Sequence, residues 1–441
     1  MPARLSRRSL LAAAAAVPMA AALGACSGGG TSSGKSGPVR LTFWAAIRGS
    51  QQVVDEFNRT HDHIQVEFQQ LPGGSQGGYA KLSNAARAGN GPDVVTVDIP
   101  QIPGFAIDGI LRDITGLVSD ELRKALLPQS IELTSLAGRT FAVPLDIEPM
   151  VLHYRTDLFA EYGLALPRTW DEFADAARTV RRGSQQRRLV LFATDGANEF
   201  SSYSWQAGAQ WFGTRTGAWN VSLADAPTRK VAAYWQQLID EDLVFVNAVD
   251  SQQANAQIGQ GLVLARLAGA WGAGSQMSAQ PGQAGKWRIA PLPQWEPRSP
   301  ALGTHGGSAF AITKDSENPE AAMEFIAWQA SHPDALKARL SSGISSSYPA
   351  APGLFDVGRT AFDRAYYGGQ DIFTLFRQEA AKIRPGWVWG PRMTATQRLM
   401  QDGFARAGAG QGTLIDAVRA AQAGTMPDLD ALGLATTQHS S

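Results

Sequence analysis

Cysteine is nearly absent from this sequence. The 441-residue chain contains one, Cys26, which excludes a disulfide framework and any zinc site built from several thiolates. A surplus of either charge is missing too, since 39 Lys and Arg stand against 39 Asp and Glu. A nucleic-acid binder would show a basic excess, so that class is set aside. Charged residues make up 18% and hydrophobic residues 44%, which excludes wholesale disorder and leaves enough apolar surface for a large core. No internal repeat at solenoid spacing is present. At roughly 150 residues per domain the length suggests about two or three globular units. Lysine is scarce, with eight residues against twelve tryptophans, and the use of so many large rings needs an explanation.

The apolar run Leu10–Ala25, with Pro18 inside it, is about 16 residues long and too short to span a bilayer comfortably. Arg4, Arg7 and Arg8 surround its start without any acid, so residues 1–25 read as a secretory signal. Within it, Ser6-Arg7-Arg8-Ser9-Leu10-Leu11 resembles a twin-arginine export motif. Leu23-Gly24-Ala25-Cys26 resembles the lipobox of bacterial lipoproteins, in which the Cys26 thiol is acylated and becomes the new N-terminus. Residues 26–37 then form a Gly/Ser-rich tether, implying a globule anchored to a membrane rather than inserted through it. Without residues 1–25, 36 basic residues face 39 acidic ones, a net charge of −3. Gly29 to Ser36 matches the G-x-x-x-x-G-K-[ST] phosphate-loop pattern, but an export signal precedes it and Gly37-Pro38 follows where a helix should begin. It is read as a chance match in low-complexity sequence.

From Val39 the pattern alternates. Val39, Leu41 and Phe43 predict a strand ending at Trp44, and Val53, Val54 and Phe57 mark one face of a helix from about Ser50. Ile64, Val66 and Phe68 predict a second strand, Tyr79–Ala88 a second helix, and Asp93–Val97 a strand covered on both faces. Strand, helix, strand, helix, strand implies a parallel α/β sheet with right-handed crossovers. Thr169-Trp170-Asp171-Glu172 reads as a capping box and Asn318-Pro319 as an N-cap with an N1 proline. The polar end from about Thr436 is expected to fray.

Ligands of such sheets bind beyond the carboxyl ends of strands. Trp44, Gln69 and Gln70, and Asp98 follow the first three strands, and Asp146 and Glu148 follow Phe141-Ala142-Val143-Pro144. Rings flanked by amides and carboxylates suit a sugar, whose C–H faces stack on an indole while its hydroxyls donate to carboxylates.

The chain resembles the extracellular solute-binding proteins of bacterial ABC transporters, in the carbohydrate-binding group that includes maltose-binding protein. Leu41–Trp44, Gly91–Val95, Leu111–Ile114, Gly138–Pro144 with Val151–Leu158, and Gly306–Ile312 carry the resemblance. It implies two α/β lobes with parallel sheets, joined by a hinge and closing on a ligand in the cleft between them. Lobe one would take residues 38–145 plus 304–345, and lobe two residues 146–303 plus 346–435. It further implies a carbohydrate ligand, permease subunits and a cytoplasmic ATPase as partners, a monomer held to the outer face of the cytoplasmic membrane by its lipid, and neither cofactor nor metal ion.

Carried over by position, the ligand residues are Asp98 of lobe one, Glu148 at the crossover, Glu199, Tyr203 and Trp205 of lobe two, the stacking rings Trp271 and Trp389, and Arg392 beside the latter. Trp44, Asp146 and Gly306 join them. Trp170, Trp235 and Trp328 lie in helix-like patterns and are expected in the core, and His305 could reach the cleft but is expected to be a loop histidine without a role. Two rival readings stand beside this one. Arg48 and Arg392 keep open a glycerophosphodiester or other phosphorylated polyol, because a phosphate wants an arginine in the cleft. An exported glycoside hydrolase would use Asp146 and Glu148, but two neighbours on one extended segment do not readily flank a scissile bond. His61-Asp62-His63 reads as a solvated turn rather than a metal site.

Overall fold

Leu41, Phe43 and Ala45 are fully buried while Arg40 and Thr42 are exposed, the period-2 alternation that makes Val39–Ala45 a strand with one face on the core. The computed structural model describes residues 37–438 apart from 75, 76, 216 and 250, so the export signal, Cys26 and most of the tether lie outside the described residues. All contacts below fall within the unit that begins at Pro38. Val39–Ala45 pairs residue for residue with Ile64–Gln70 and also with Val94–Asp98, all parallel as expected. Helix Ser50–Thr60 covers them with Val53, Val54 and Phe57.

The sheet then departs from an all-parallel one. Its order is 64–70, 39–45, 94–98, 308–312, 143–144, and Ser308–Ile312 runs antiparallel to both neighbours. The cause is where the chain comes from. Parallel strands run toward the cleft and end there, whereas the 308–312 strand starts at the cleft, with Ser308 opposite Asp98, and so must run away from it. The sheet 265–268, 151–155, 287–291 is antiparallel throughout for a related reason: the central strand leaves the crossing segment and both neighbours return toward it. Val190–Ala193 and Val244–Asn247 form a parallel pair.

Three chain segments run side by side between the two groups of sheets. Leu145 N–H donates to Ser308 O at 2.9 Å, Ile147 N–H to Tyr348 O at 2.9 Å, His305 N–H to Glu148 O at 3.0 Å and Ala350 N–H to Leu145 O at 3.0 Å. Segments 145–149, 304–308 and 348–350 are thereby zipped together through backbone bonds.

Most tryptophans are core. Trp170, Trp205, Trp211, Trp235 and Trp287 are fully buried, and Trp328 is half-buried, edge-on to Phe57. Thr169 Oγ1 caps helix Trp170–Gly183 by accepting from Glu172 N–H, while Glu172 reaches back to the N–H of Arg168, one residue earlier than a capping box requires. Asn318 precedes helix Pro319–Ser331 but makes no side-chain cap; Ser316 Oγ accepts the Asn318 N–H instead. The end expected to fray forms the strand Thr436–Gln438, paired with Trp219–Val221. Among the described residues no helix is long and apolar enough to cross a membrane.

Candidate functional site

The carboxyl end of the first sheet, the crossing segments and the turn after Ala265–Ala268 enclose one cavity of about 690 Å³. Asp98, Asp146, Glu148, Trp271 and Gly306 of the sequence-derived set line it, together with Arg48, Asn198, His305 and Ser345–Ser347. The cavity has acids on its walls and one indole, Trp271, among them.

Trp271 is held at three points. Its N–H donates to Glu148 Oε2 at 2.7 Å, its Nε1 to His305 O at 2.8 Å, and its ring meets the His305 ring edge-on at 5.2 Å. The two bonds come from different crossing segments, so the indole orientation is set by the crossover itself. Gly306 has φ 92°, and a Cβ there would lie 3.2 Å from Trp271 Nε1. The positive φ favours glycine, and a Cβ there would crowd the ring.

The acids are electrostatically unusual. Burial pushes the Glu148 carboxyl well above the carboxylate range, the negative charge of Asp146 adds to this, and Oε1 has no partner among the described residues. Burial raises Asp146 to about 6 against the opposing pull of the Ser308 N–H, which donates at 2.6 Å. Asp98 accepts from the Tyr79 hydroxyl, and burial still leaves its carboxyl above the usual value. His305 is buried and pushed down to about 4, first by burial and then by the Arg266 charge, so its ring is neutral; its Nδ1 has no partner among the described residues. This loop histidine, which the sequence allowed to reach the cleft, is a wall of the cavity. Its place in Gly303-Thr304-His305-Gly306-Gly307, one polar side chain among glycines, was the only sequence signal for it.

Six candidates lie elsewhere. Trp44 points to the opposite face of its strand from Phe43 and Ala45, where Lys81 Nζ sits 4.7 Å from its ring centroid; the cavity starts two residues later. Glu199 is buried, accepts from the Tyr203 hydroxyl, and lines a narrow gap of about 20 Å³ behind Trp271 and His305. Tyr203 is core, edge-on to Trp170 at 5.6 Å. Trp205 is core as well: it stacks on Trp387 at 4.9 Å and 12°, and its Nε1 donates to Arg384 O at 2.8 Å. Trp389 stands edge-on to both of those rings and is 3% exposed. Helix Ala197–Gln206 is buried at every position but Asn198, so its aromatic side chains serve the interior rather than the cleft.

Arg392 pairs with Asp108 at 3.5 Å. Beside that pair Gln101 Nε2 donates to Gln397 Oε1 at 3.0 Å, and Thr394 Oγ1 donates to Gln101 Oε1 at 2.6 Å. These bonds tie the 99–108 region to helix Met393–Gly408 at a place separate from the crossing segments. At the polar turn, His61 stacks on Phe57 and His63 pairs with Glu324 at 2.9 Å. Among the described residues no group of three or more His, Cys, Asp or Glu is placed to hold a metal ion.

Residues 46–335 match the family model of the bacterial extracellular solute-binding proteins. The chain belongs to that family. An arabinooligosaccharide-binding protein of Bacillus subtilis (strain 168) is 25% identical over 311 residues, 67% of this chain and 70% of the relative. A galactooligosaccharide-binding protein of the same organism is 25% identical over 324 residues, 70% of this chain and 73% of the relative. Among solved structures, the galacto-N-biose/lacto-N-biose I-binding protein of an ABC transporter from Bifidobacterium longum, in complex with lacto-N-biose, superposes with a TM-score of 0.82 at 25% identity, covering 91% of this chain and 100% of that one. An ABC-transporter-associated binding protein of B. animalis subsp. lactis Bl-04, in complex with β-1,6-galactobiose, gives 0.81 at 25% identity, with coverage of 91% and 100%. The solute-binding protein thus has the two-lobed α/β fold of periplasmic sugar-binding proteins. Its family and structural neighbours are binding proteins.

Proposed function

We propose that this solute-binding protein captures a carbohydrate outside the cytoplasmic membrane and delivers it to an ABC importer. The observation that carries the reading is Trp271, held against the crossover beside Glu148, with Asp146 and Asp98 on neighbouring walls of the same cavity. An indole offers a stacking face to a pyranose and the carboxyls accept its hydroxyls. The volume of about 690 Å³ falls in the range of small-molecule sites. Relatives named for arabino- and galactooligosaccharides and neighbours holding disaccharides support the ligand class.

The lobes in this reading are residues 38–145 plus 304–345 and 146–303 plus 346–435, with the zipped crossing segments as the hinge. The open form binds sugar and the closed form docks the permease subunits, whose cytoplasmic ATPase drives import. The protein works as a monomer without a cofactor and catalyses no reaction. Arg48 on the cavity wall is what speaks for a phosphorylated polyol, but Asp98, Asp146 and Glu148 share that wall and the negative charge they retain opposes a phosphate, so an uncharged polyol fits better. Cys26 is the lipid-bearing residue, and its thioether anchors the globule through the tether to the outer face of the membrane.

The decisive experiment is a thermal-shift panel of mono- and oligosaccharides on protein starting at Ser27. A ligand that binds only the native state raises Tm by mass action. A shift with one or a few saccharides is expected, and no shift across a broad panel overturns the reading. Cys26→Ala should move the full chain from the membrane fraction to the soluble one; continued retention removes the lipid anchor from the proposal.

A further inference from the structure

Arg339 lies near the end of helix Pro333–Leu340 and is 1% exposed. A guanidinium this deep normally has a carboxylate bonded to it, because an isolated buried charge is costly. Here Nη2 donates to Gln329 Oε1 at 3.2 Å, while Nε and Nη1 have no partner among the described residues. The group sits 5.9 Å from the Phe310 ring centroid and lines a gap of about 10 Å³ with Leu145, Ser347 and Pro349. Pro349 is bridged to Asp146 across the crossing segments, and Asp146 is the acid whose field reaches Arg339.

We infer that Arg339 is a positioning residue that keeps one negative charge on the Asp146–Glu148 pair, so that a carboxylate rather than two neutral acids faces the cleft. Two adjacent buried carboxyls cannot both ionise cheaply, and a nearby cation selects the state with one charge. The other groups facing the pair are His305 with Arg266 behind it, and Asp98, Tyr79 and Arg48 around the remaining walls. Among these cations Arg339 is the one whose charge acts on Asp146. The consequence for binding rests on the sugar-capture reading; the charge itself does not.

The test reads the charge directly in ligand-free protein beginning at Ser27. Carboxyl ¹³C resonances of labelled Asp are followed against pH, and the Asp146 signal is identified by its loss in Asp146→Asn. The wild-type midpoint is expected near the value of about 6 that burial sets. Arg339→Met should raise it, and Arg339→Lys should restore most of that change. A midpoint that stays put in a folded Arg339→Met protein overturns the proposal, since a purely structural arginine would lower Tm without moving it. If Arg339→Met does not fold, the Arg339 Nε resonance of the wild type decides: it should titrate with the Asp146 midpoint, and a flat response overturns the proposal. For whichever saccharide the panel identifies, Arg339→Met should weaken binding severalfold near pH 6, where the variant has lost a charge that the wild type half retains, and little at pH 8, where Asp146 is ionised in both proteins. Equal weakening at both values counts against the proposal, and an empty panel leaves the titration as the deciding arm.

Discussion

The Trp271 N–H donates to Glu148 Oε2 at 2.7 Å, joining the indole on the cavity wall to the acid that leaves the crossover. Ring and carboxyl therefore keep a fixed relation, and a ligand stacked on one is in reach of the other. The same bond makes Trp271 half-structural, which separates its ring from its backbone in any mutational test.

Trp271→Ala removes the ring and keeps the N–H bonded to Glu148. Saccharide affinity should fall at least tenfold, the order expected of a buried aromatic anchor, while Tm of the free protein changes by only a few degrees. Calorimetric titration and a thermal scan measure both. Equal loss of binding and of basal stability would make the ring a core residue.

Glu148→Gln separates stability from function. The folded-state pKa of Glu148 is raised by burial and by Asp146, so its stabilising contribution is complete below the unfolded value near 4 and lost as pH rises. The variant should therefore be more stable than wild type at pH 8, by about 1–3 kcal/mol, with a smaller gain at pH 5 and weaker ligand binding throughout. A gain independent of pH would mean that the charge is not the cause.

His153 titrates in the opposite sense. Burial, with the Arg266 charge, lowers it to about 3, so it stays neutral in the fold and its contribution, present above the unfolded value near 6.5, is lost as pH falls toward 3. Between pH 6.5 and 4.5 this amounts to about 2–3 kcal/mol. In His153→Gln the stability lost over that interval should shrink by this amount, as read from urea midpoints at the two pH values. An unchanged acid slope would contradict it.

Gln101 bonds to both Thr394 and Gln397, away from the hinge. If those bonds hold the lobes together around the ligand, Gln101→Ala should accelerate ligand release about five- to a hundredfold, at roughly 0.5–1.5 kcal/mol for each of the two hydrogen bonds, and leave the association rate nearly unchanged. Stopped-flow tryptophan fluorescence resolves the two rates. A slower association with unchanged release would place the effect elsewhere.

Local pattern was enough for the first strands and helices. Period-2 alternation in Val39–Ala45 and a 3.6-period stripe through Val53, Val54 and Phe57 depend on neighbours a few residues away, and the structure follows them. The same local reading placed Asp98, Asp146 and Glu148 at strand ends, where they line the cavity. Direction of pairing is another matter. Ser308–Ile312 reads as a strand in sequence, but its antiparallel run follows from the side on which the chain returns, a property of the whole path.

The aromatic residues divide in the same way. Sequence by itself determined the alternation that makes this an α/β protein, the family motifs, and the acids at the strand ends. Tertiary structure alone decided which rings line the cavity, because an indole packs as readily against Trp387 as at a cavity wall. Trp205 and Trp389 were drawn into one aromatic core, whereas Trp271 was kept at the cleft by two hydrogen bonds from segments that meet only in the folded protein. Burial of a large apolar surface has no direction in sequence; the crossing of the chain supplies it.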